Sequence, residues 1–382
     1  MLPGTAEKMN VNKRVINAIA DIVAELNQNK IVNANALMGF DACIDNIVKV
    51  VKGQKDNGCS VYFSSSKEFG EFLTGLENRS SGVEFHTKLS KPGGNMVITA
   101  NALGNLGMSI DCIGTFGLPE ILPVFRTMSG NCSLITVGDT ITATALEFND
   151  SKVIMFDPGP YYKLSWEGIK DISGIKQLIQ LFSAKQLVSF LNWSEIENTS
   201  QIWEGVLDEI LPAIIQTGPK PFFFTDFSDC SRRSKKEIQF AISLLGRFRD
   251  YFRVILSLNR NEAKLIAIAL DLSTDSSDEE FIKSVFGAAN SDMVVIHRIE
   301  DALAYDGIIF EKCSTFFCKE PTILTGGGDN FNAGFCYSAV RNFDLLQSLI
   351  IANAVSGYYV RTAVSPDVDN LIGFFQSYTC SQ

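Results

Sequence analysis

Residues 221–270 read PFFFTDFSDCSRRSKKEIQFAISLLGRFRDYFRVILSLNRNEAKLIAIAL. Two short apolar runs, 221–227 and 254–258, alternate with two stretches, 235–248 and 261–270, whose apolar residues recur every three or four positions. A short apolar run bounded by polar residues reads as a buried strand, and the three-to-four period reads as a helix. Strand, helix, strand, helix in this order means a parallel sheet covered by helices on both faces. The same alternation extends outward. ALMGF (36–40), IDCIGTF (110–116), LVSFLNW (187–193) and MVVIH (293–297) repeat the strand pattern. MVITANALGNLG (96–107), IWEGVLDEILPAII (202–215), DNFNAGFCYSAVRN (329–342) and DLLQSLIIANAVSGYYV (344–360) repeat the helical one. A further helix is expected near 11–28, with Val15, Ile16, Ile19, Ile22, Val23 and Leu26 on one face.

Two stretches break the rhythm. In the first, 41–92, strand-like IDNIVKVV and CSVYF flank a polar, helix-prone SSKEFGEFLTGLENR. The second, TALEFNDSKVIMFD (144–157), places two alternating strands about an Asn149-Asp150-Ser151-Lys152 turn, a hairpin signal. The expected organisation is one α/β domain over 1–382, with a small β lid built from insertions at about 41–92 and 140–158.

Composition narrows the function. Of the 382 residues, 46% are hydrophobic and 20% charged, which is globular and excludes disorder. A formal net charge of -10 without a basic stripe argues against a nucleic-acid partner, which needs cations to displace counterions from phosphate. No apolar stretch reaches the roughly 18 to 20 residues that span a bilayer, so no membrane association is expected. The start, MLPGTAEKMNVNKR, lacks the apolar core of a signal peptide, and a cytoplasmic protein is expected. The nine cysteines are scattered without zinc or redox spacing and read as free thiols. With only His86 and His297 present, both read as structural, proton chemistry falls to carboxylates.

The strongest local signal is Thr325-Gly326-Gly327-Gly328-Asp329, leading at once into the helical NFNAGFCYSAV. Three glycines let bare N–H groups converge at a helix N-terminus, where the macrodipole also favours an anion. Asp329 beside that cradle could accept a proton from a hydroxyl while the glycine amides hold a transferred phosphoryl group. The same residues could equally form a glycine-rich loop whose Asp caps the helix. A second pair, Gly93-Gly94, precedes a small-residue helix and could let a polyol approach the backbone, with Asn95 offering donor and acceptor groups.

Together these segments resemble the ribokinase-like (PfkB) carbohydrate kinases, over nearly the whole chain after residue 35 and in that family's order. The run from Gly93 to Gly107 resembles its first motif. Asn259-Arg260-Asn261-Glu262 resembles its N-x-x-E element, and TGGGDNFNAGF resembles its second signature. The resemblance implies a ribokinase-like three-layer sandwich with a mostly parallel central sheet. It implies Asp329 as catalytic base, with Gly326, Gly327 and Gly328 as anion hole. Asp41, Asp45, Gly93, Gly94 and Asn95 would bind the acceptor. Asn259, Glu262, Thr325 and Asn353 would serve the nucleotide, with Glu262 holding Mg²⁺ through water.

Departures bear on donor and activity. Ile98 stands where the family usually has Asn, and Ile323-Leu324 where it often has Asp-Thr of a monovalent-cation site. Asp45 lies six residues after Gly39, a spacing resembling the ADP-dependent sugar kinases, whose H-x-E element the stretch TDFSD lacks. The expected activity is transfer of the γ-phosphoryl of ATP to a hydroxyl of a sugar or related polyol, with ADP as the alternative donor. A non-catalytic sugar- or nucleotide-binding member is the other reading, and a homodimer through the lid the expected assembly.

Overall fold

The computed structural model describes residues 13–30 and 33–379. Its strands are β1 (Asn35–Phe40), β2 (Cys43–Gln54), β3 (Ser60–Tyr62), β4 (Phe85–Gly93), β5 (Ser109–Gly114), β6 (Cys132–Thr136), β7 (Ile141–Glu147), β8 (Lys152–Phe156), β9 (Leu187–Phe190), β10 (Phe222–Asp226), β11 (Arg253–Asn259), β12 (Met293–His297), β13 (Asp301–Tyr305) and β14 (Phe310–Ser314). The helices are α1 (Lys13–Gln28), α2 (Ser66–Thr74), α3 (Asn95–Asn105), α4 (Gly159–Lys163), α5 (Trp166–Ser173), α6 (Ile175–Phe182), α7 (Thr199–Gly205), α8 (Lys235–Phe248), α9 (Arg260–Ala269), α10 (Asp278–Ala288), α11 (Gly327–Val340), α12 (Leu345–Thr362) and α13 (Val368–Thr379).

The large sheet has the order β14-β13-β12-β11-β10-β9-β1-β5-β6. Every pairing from β12 to β6 is parallel, and only β13 and β14 at one edge are antiparallel. Successive side chains on a strand point to opposite faces. Ala36 and Met38 of β1 therefore join a core with α1, α3, α11, α12 and α13, while Leu37 joins a second core with α4 to α10. Three layers result, as the alternation of strands and helices required. On α1, Ala18, Ile19, Ile22 and Leu26 are buried, matching the predicted face.

The segment 202–215 departs from one regular helix. After α7 it widens into a π turn over Val206–Ile210 and tightens into a 3₁₀ turn at Leu211–Ala213. Pro212 cannot donate to the ladder, so the helix ends there.

Chain order and space order diverge at β1. The chain builds β5 and β6 on one side of it, then β9 to β12 on the other. In open parallel sheets ligands bind outside the carboxyl ends of the strands, where the order reverses in this way. Asp41 is the first residue past β1. Two residues on, β2 enters a second sheet, where it pairs antiparallel with β4 and β3 and parallel with β7, with β8 completing the β7 hairpin. Val48, Val50, Phe63, Phe69, Leu146 and Phe148 form its own small core, to which α2 contributes Phe69. Both interruptions of the strand-helix rhythm thus meet in one small sheet at the mouth of the large one.

Candidate active site

The glycine pair takes a different part from the expected one. Asp41 is fully buried. Its Oδ2 accepts from the Asn95 amide at 2.7 Å and Asn192 Nδ2 at 3.0 Å, and its Oδ1 from the Met96 amide at 3.0 Å. Those amides are otherwise orphan donors of the first turn of α3. Asp41, expected to meet the acceptor, thus also holds the start of α3, the helix that carries Asn95. Burial pushes its carboxyl up to about 7. Gly94 has φ 99°, and a Cβ there would lie 2.8 Å from Asp41 Oδ2. A Cβ on Gly93 would lie 2.4 Å from Cγ of Asp45. The pair thus makes room for two carboxylates. Asp45 remains partly exposed, in register with Lys91 across β2 and β4. Asn95 donates from Nδ2 to Ser228 Oγ at 2.8 Å.

Opposite this corner, Gly326 adopts φ 94° and turns the chain into α11. A Cβ on Gly326 would sit 2.8 Å from the Tyr359 hydroxyl, and one on Gly328 would sit 3.1 Å from His297 Cε1. Bulk at either position would close the approach to the amides. Asp329 lies in the first turn of α11, partly exposed, and its carbonyl accepts from Thr99 Oγ1 of α3 at 3.3 Å. Burial holds its carboxyl well above the usual range, reinforced by the charges of Asp226, Asp41, Asp45 and Glu262. When ionised, a carboxylate so placed is a stronger base than an ordinary one.

On the third side, Asn259 caps α9. Its Oδ1 accepts from the amides of Asn261 and Glu262, while Glu262 accepts from the Asn259 amide and side chain. The two residues thus form a reciprocal capping box. Burial pushes Glu262 up to about 8, with Asp226 adding to it. Asp226, at the end of β10, accepts from the Asn192 amide and from Asn332 Nδ2 of α11, and burial raises it to about 6.

These raised carboxyls set a pH dependence. An acid whose folded pKa exceeds its unfolded value binds more protons in the folded state, so stability falls as pH rises between the two. His297, which burial lowers to about 4, opposes this only while the unfolded imidazole titrates. Towards pH 8 its contribution is spent and those of Asp41 and Glu262 remain, and from about pH 6.5 they already outweigh it. The midpoint of thermal unfolding of the nucleotide-free protein is therefore expected to fall across that range. A flat or rising midpoint would contradict the buried carboxylate cluster.

Beside Gly327 and Gly328 opens a cavity of about 450 Å³. Asn259, His297 and Phe331 line its inner end; Phe316, Phe317, Leu324 and Val360 make apolar walls. Asn353 also lines it, with Nδ2 donating to the Ser314 carbonyl at 3.3 Å. A largely apolar cleft of this size, with phosphate-binding amides at one end, fits a nucleotide. Glu262 and Thr325, expected to serve the nucleotide, do not line it; Thr325 contacts Lys152 instead.

The expected residues therefore converge from β1, β2, α3, α9, α11 and α12. Several others were not singled out by the sequence. Asp226 and Asn192 fix α11 and α3 relative to the large sheet. From the small sheet, Lys152 reaches Thr325 and Lys91 reaches the Tyr359 hydroxyl. His297, read as a structural strand end, packs its ring 5.0 Å from Phe331 at the cavity.

Comparison with known proteins agrees with this geometry. The family model of prokaryotic ketohexokinase matches residues 11–378. A ketohexokinase of Haloferax volcanii is 26% identical over 361 residues, covering 94% of this chain and 95% of its own. The crystal structure of a fructokinase with bound ATP from Xylella fastidiosa superposes with a TM-score of 0.60 at 13% identity, over 90% of this chain and 99% of that one. A putative ribokinase II from E. coli in complex with ATP and Mg²⁺ gives 0.61 at 14%, over 91% and 100%. The fold is that of ribokinase, and the chain belongs to the prokaryotic ketohexokinase family of carbohydrate kinases.

Proposed function

We propose that the protein transfers the γ-phosphoryl group of ATP to a hydroxyl of a ketohexose such as fructose. The observation that supports this best is the partly exposed Asp329 in the first turn of α11, with Asp45 facing it and a nucleotide-sized cavity alongside. Asp329 takes the proton of the attacking hydroxyl. The amides after Gly326 hold the phosphoryl oxygens while the bond to the ADP oxygen breaks, without a covalent enzyme intermediate. The small sheet acts as a lid that keeps water from competing as acceptor. Solved structures of the same fold that hold ATP support ATP over ADP as donor.

Mg²⁺ fits the residues present. Glu262, Asp226 and Asp329 crowd negative charge that burial makes costly, and a divalent cation offsets it. Among the described residues no three His, Cys, Asp or Glu side chains form a ready-made metal site. Asn259 and Glu262 would accordingly hold the ion through water, with the phosphates completing its shell. Bound there, it would neutralise phosphate charge.

No helix among the described residues is long and apolar enough to cross a membrane, and a cytoplasmic enzyme is the reading adopted. Exposed Phe85, Leu89, Ile154 and Met155 on β4 and β8 make the small sheet the surface proposed for a homodimer.

The test is a panel of ketohexoses, aldoses, nucleosides and inositols with ATP or ADP as donor, with and without chelator. ATP with fructose is expected to give the highest kcat/KM, and EDTA to abolish it. Preference for a nucleoside or aldose would overturn the ketohexose assignment. Nucleotide binding without turnover of any acceptor would favour the non-catalytic reading.

A further inference from the structure

Two ammonium groups of the small sheet converge on the anion loop. Lys91, on β4, donates to the Tyr359 hydroxyl at 3.3 Å, and that hydroxyl donates to the Thr325 carbonyl at 3.0 Å. Lys152, at the start of β8, contacts Thr325 Oγ1. Thr325 and Tyr359 flank Gly326, whose missing Cβ is what lets the Tyr359 hydroxyl approach. The two lysines come from separate insertions, one before Gly93 and one in the β7–β8 hairpin, yet they end at the same place.

Their partners set them apart. Neighbouring lysines of the same sheet have carboxylates: Lys52 pairs with Glu68, and Lys88 with Glu147. Lys91 and Lys152 form no ion pair among the described residues; their hydrogen bonds go to hydroxyls. Asp45 feels both charges, and Tyr359 feels Lys91, Asp329 and Asp45. The ammoniums therefore stand between the acceptor carboxylate, the general base and the glycine amides. Two like charges in a half-buried corner repel each other, and only an anion between them turns that cost into attraction.

We propose that Lys91 and Lys152 together bind the phosphoryl group in flight, so that the small sheet supplies cations to the reaction as well as cover. This rests on the phosphotransfer reading of the site. As the bond from phosphorus to the bridging oxygen of ATP breaks and the bond to the acceptor oxygen forms, the hydroxyl proton passes to Asp329. The equatorial phosphoryl oxygens then exchange the hydroxyls of Thr325 and Tyr359 as partners of the two ammoniums. Charge-assisted contacts of this kind in a water-excluded site stabilise the transition state more than the ground state.

The test is calorimetry of Mg·ADP with and without tetrafluoroaluminate, an anion that stands for the transferring phosphoryl group and requires no knowledge of the acceptor. Tetrafluoroaluminate is expected to tighten Mg·ADP binding at least ~10-fold in the wild-type enzyme, the loss expected when charged contacts of this class are removed. Lys152→Met and Lys91→Met should each abolish most of that gain while binding Mg·ADP alone within about twofold, and Lys152→Arg should retain part of it. The same Met variants should lower kcat with fructose and leave nucleotide KM unchanged. An equal gain in the Met variants, or no gain in the wild type, overturns the proposal. A normal gain with no turnover of any sugar would overturn the ketohexose kinase reading and leave the lysine site standing.

Discussion

Asp329→Asn is expected to lower kcat with the sugar acceptor by at least ~10²-fold, because general-base catalysis typically contributes ~10² to 10⁴. The substitution keeps the size of the side chain and its place in the first turn of α11. It removes only the ability to take a proton. Folding gives no competing explanation, since burial and four neighbouring carboxylates already disfavour the charge of Asp329. The Asn variant should unfold at the same temperature as the wild type or higher. Nucleotide affinity by calorimetry should change little, because the cavity is lined by Gly327, Gly328, Asn353 and apolar walls rather than by Asp329. A variant that folds, binds nucleotide and retains near wild-type kcat would remove Asp329 from the chemistry.

How far the sequence carried differs between fold and site. All the parallel strands except β6 were legible because each is a short, almost wholly apolar run, as a strand buried on both faces must be, whereas the partly exposed CSLIT of β6 is not. β13 and β14 escaped notice. DALAY and FEKCS carry little β-branched or aromatic signal; β13 takes its pairing from β12, and β14 from β13. α4, α5 and α6 were missed for a related reason: each is short, and Gly159, Pro160 and Gly174 punctuate the stretch they occupy.

At the site, residues whose role is local were visible. The three glycines and Asp329 share one turn, and the Asn259–Glu262 capping box spans one turn of α9. Residues acting across distance were not. Lys152 sits in a polar hairpin turn, where a lysine needs no explanation, and only tertiary packing brings it to Thr325. Asp41 was legible as a carboxylate at the end of β1, but its commitment to α3 depends on a contact 54 residues away in sequence. No local pattern distinguishes a carboxylate that meets a ligand from one that caps a distant helix.

We propose Asp45 as the carboxylate that meets the acceptor, and Asp45→Ala is expected to raise the acceptor KM by more than ~10-fold, in line with a charged hydrogen bond worth ~1.5 to 3 kcal/mol. Three features single it out. It is partly exposed where Asp41 is sealed, its carboxyl lies directly over the Cα of Gly93, and it faces the anion loop through Lys91. A carboxylate can accept from two adjacent sugar hydroxyls at once, and one left without them in a half-buried corner loses both bonds. Binding of ATP should be unaffected, since the nucleotide cavity lies beyond Gly327 on the far side of Asp329. Asp45→Asn separates charge from shape: it fills the same space over Gly93 and can accept through one oxygen. Its KM should therefore fall between those of the wild type and the Ala variant. Calorimetry with ATP alongside steady-state kinetics with fructose reads both quantities. If both variants kept the wild-type acceptor KM, sugar binding would have to depend on the Asn95 side of the cleft, where α3 rather than the small sheet sets the geometry.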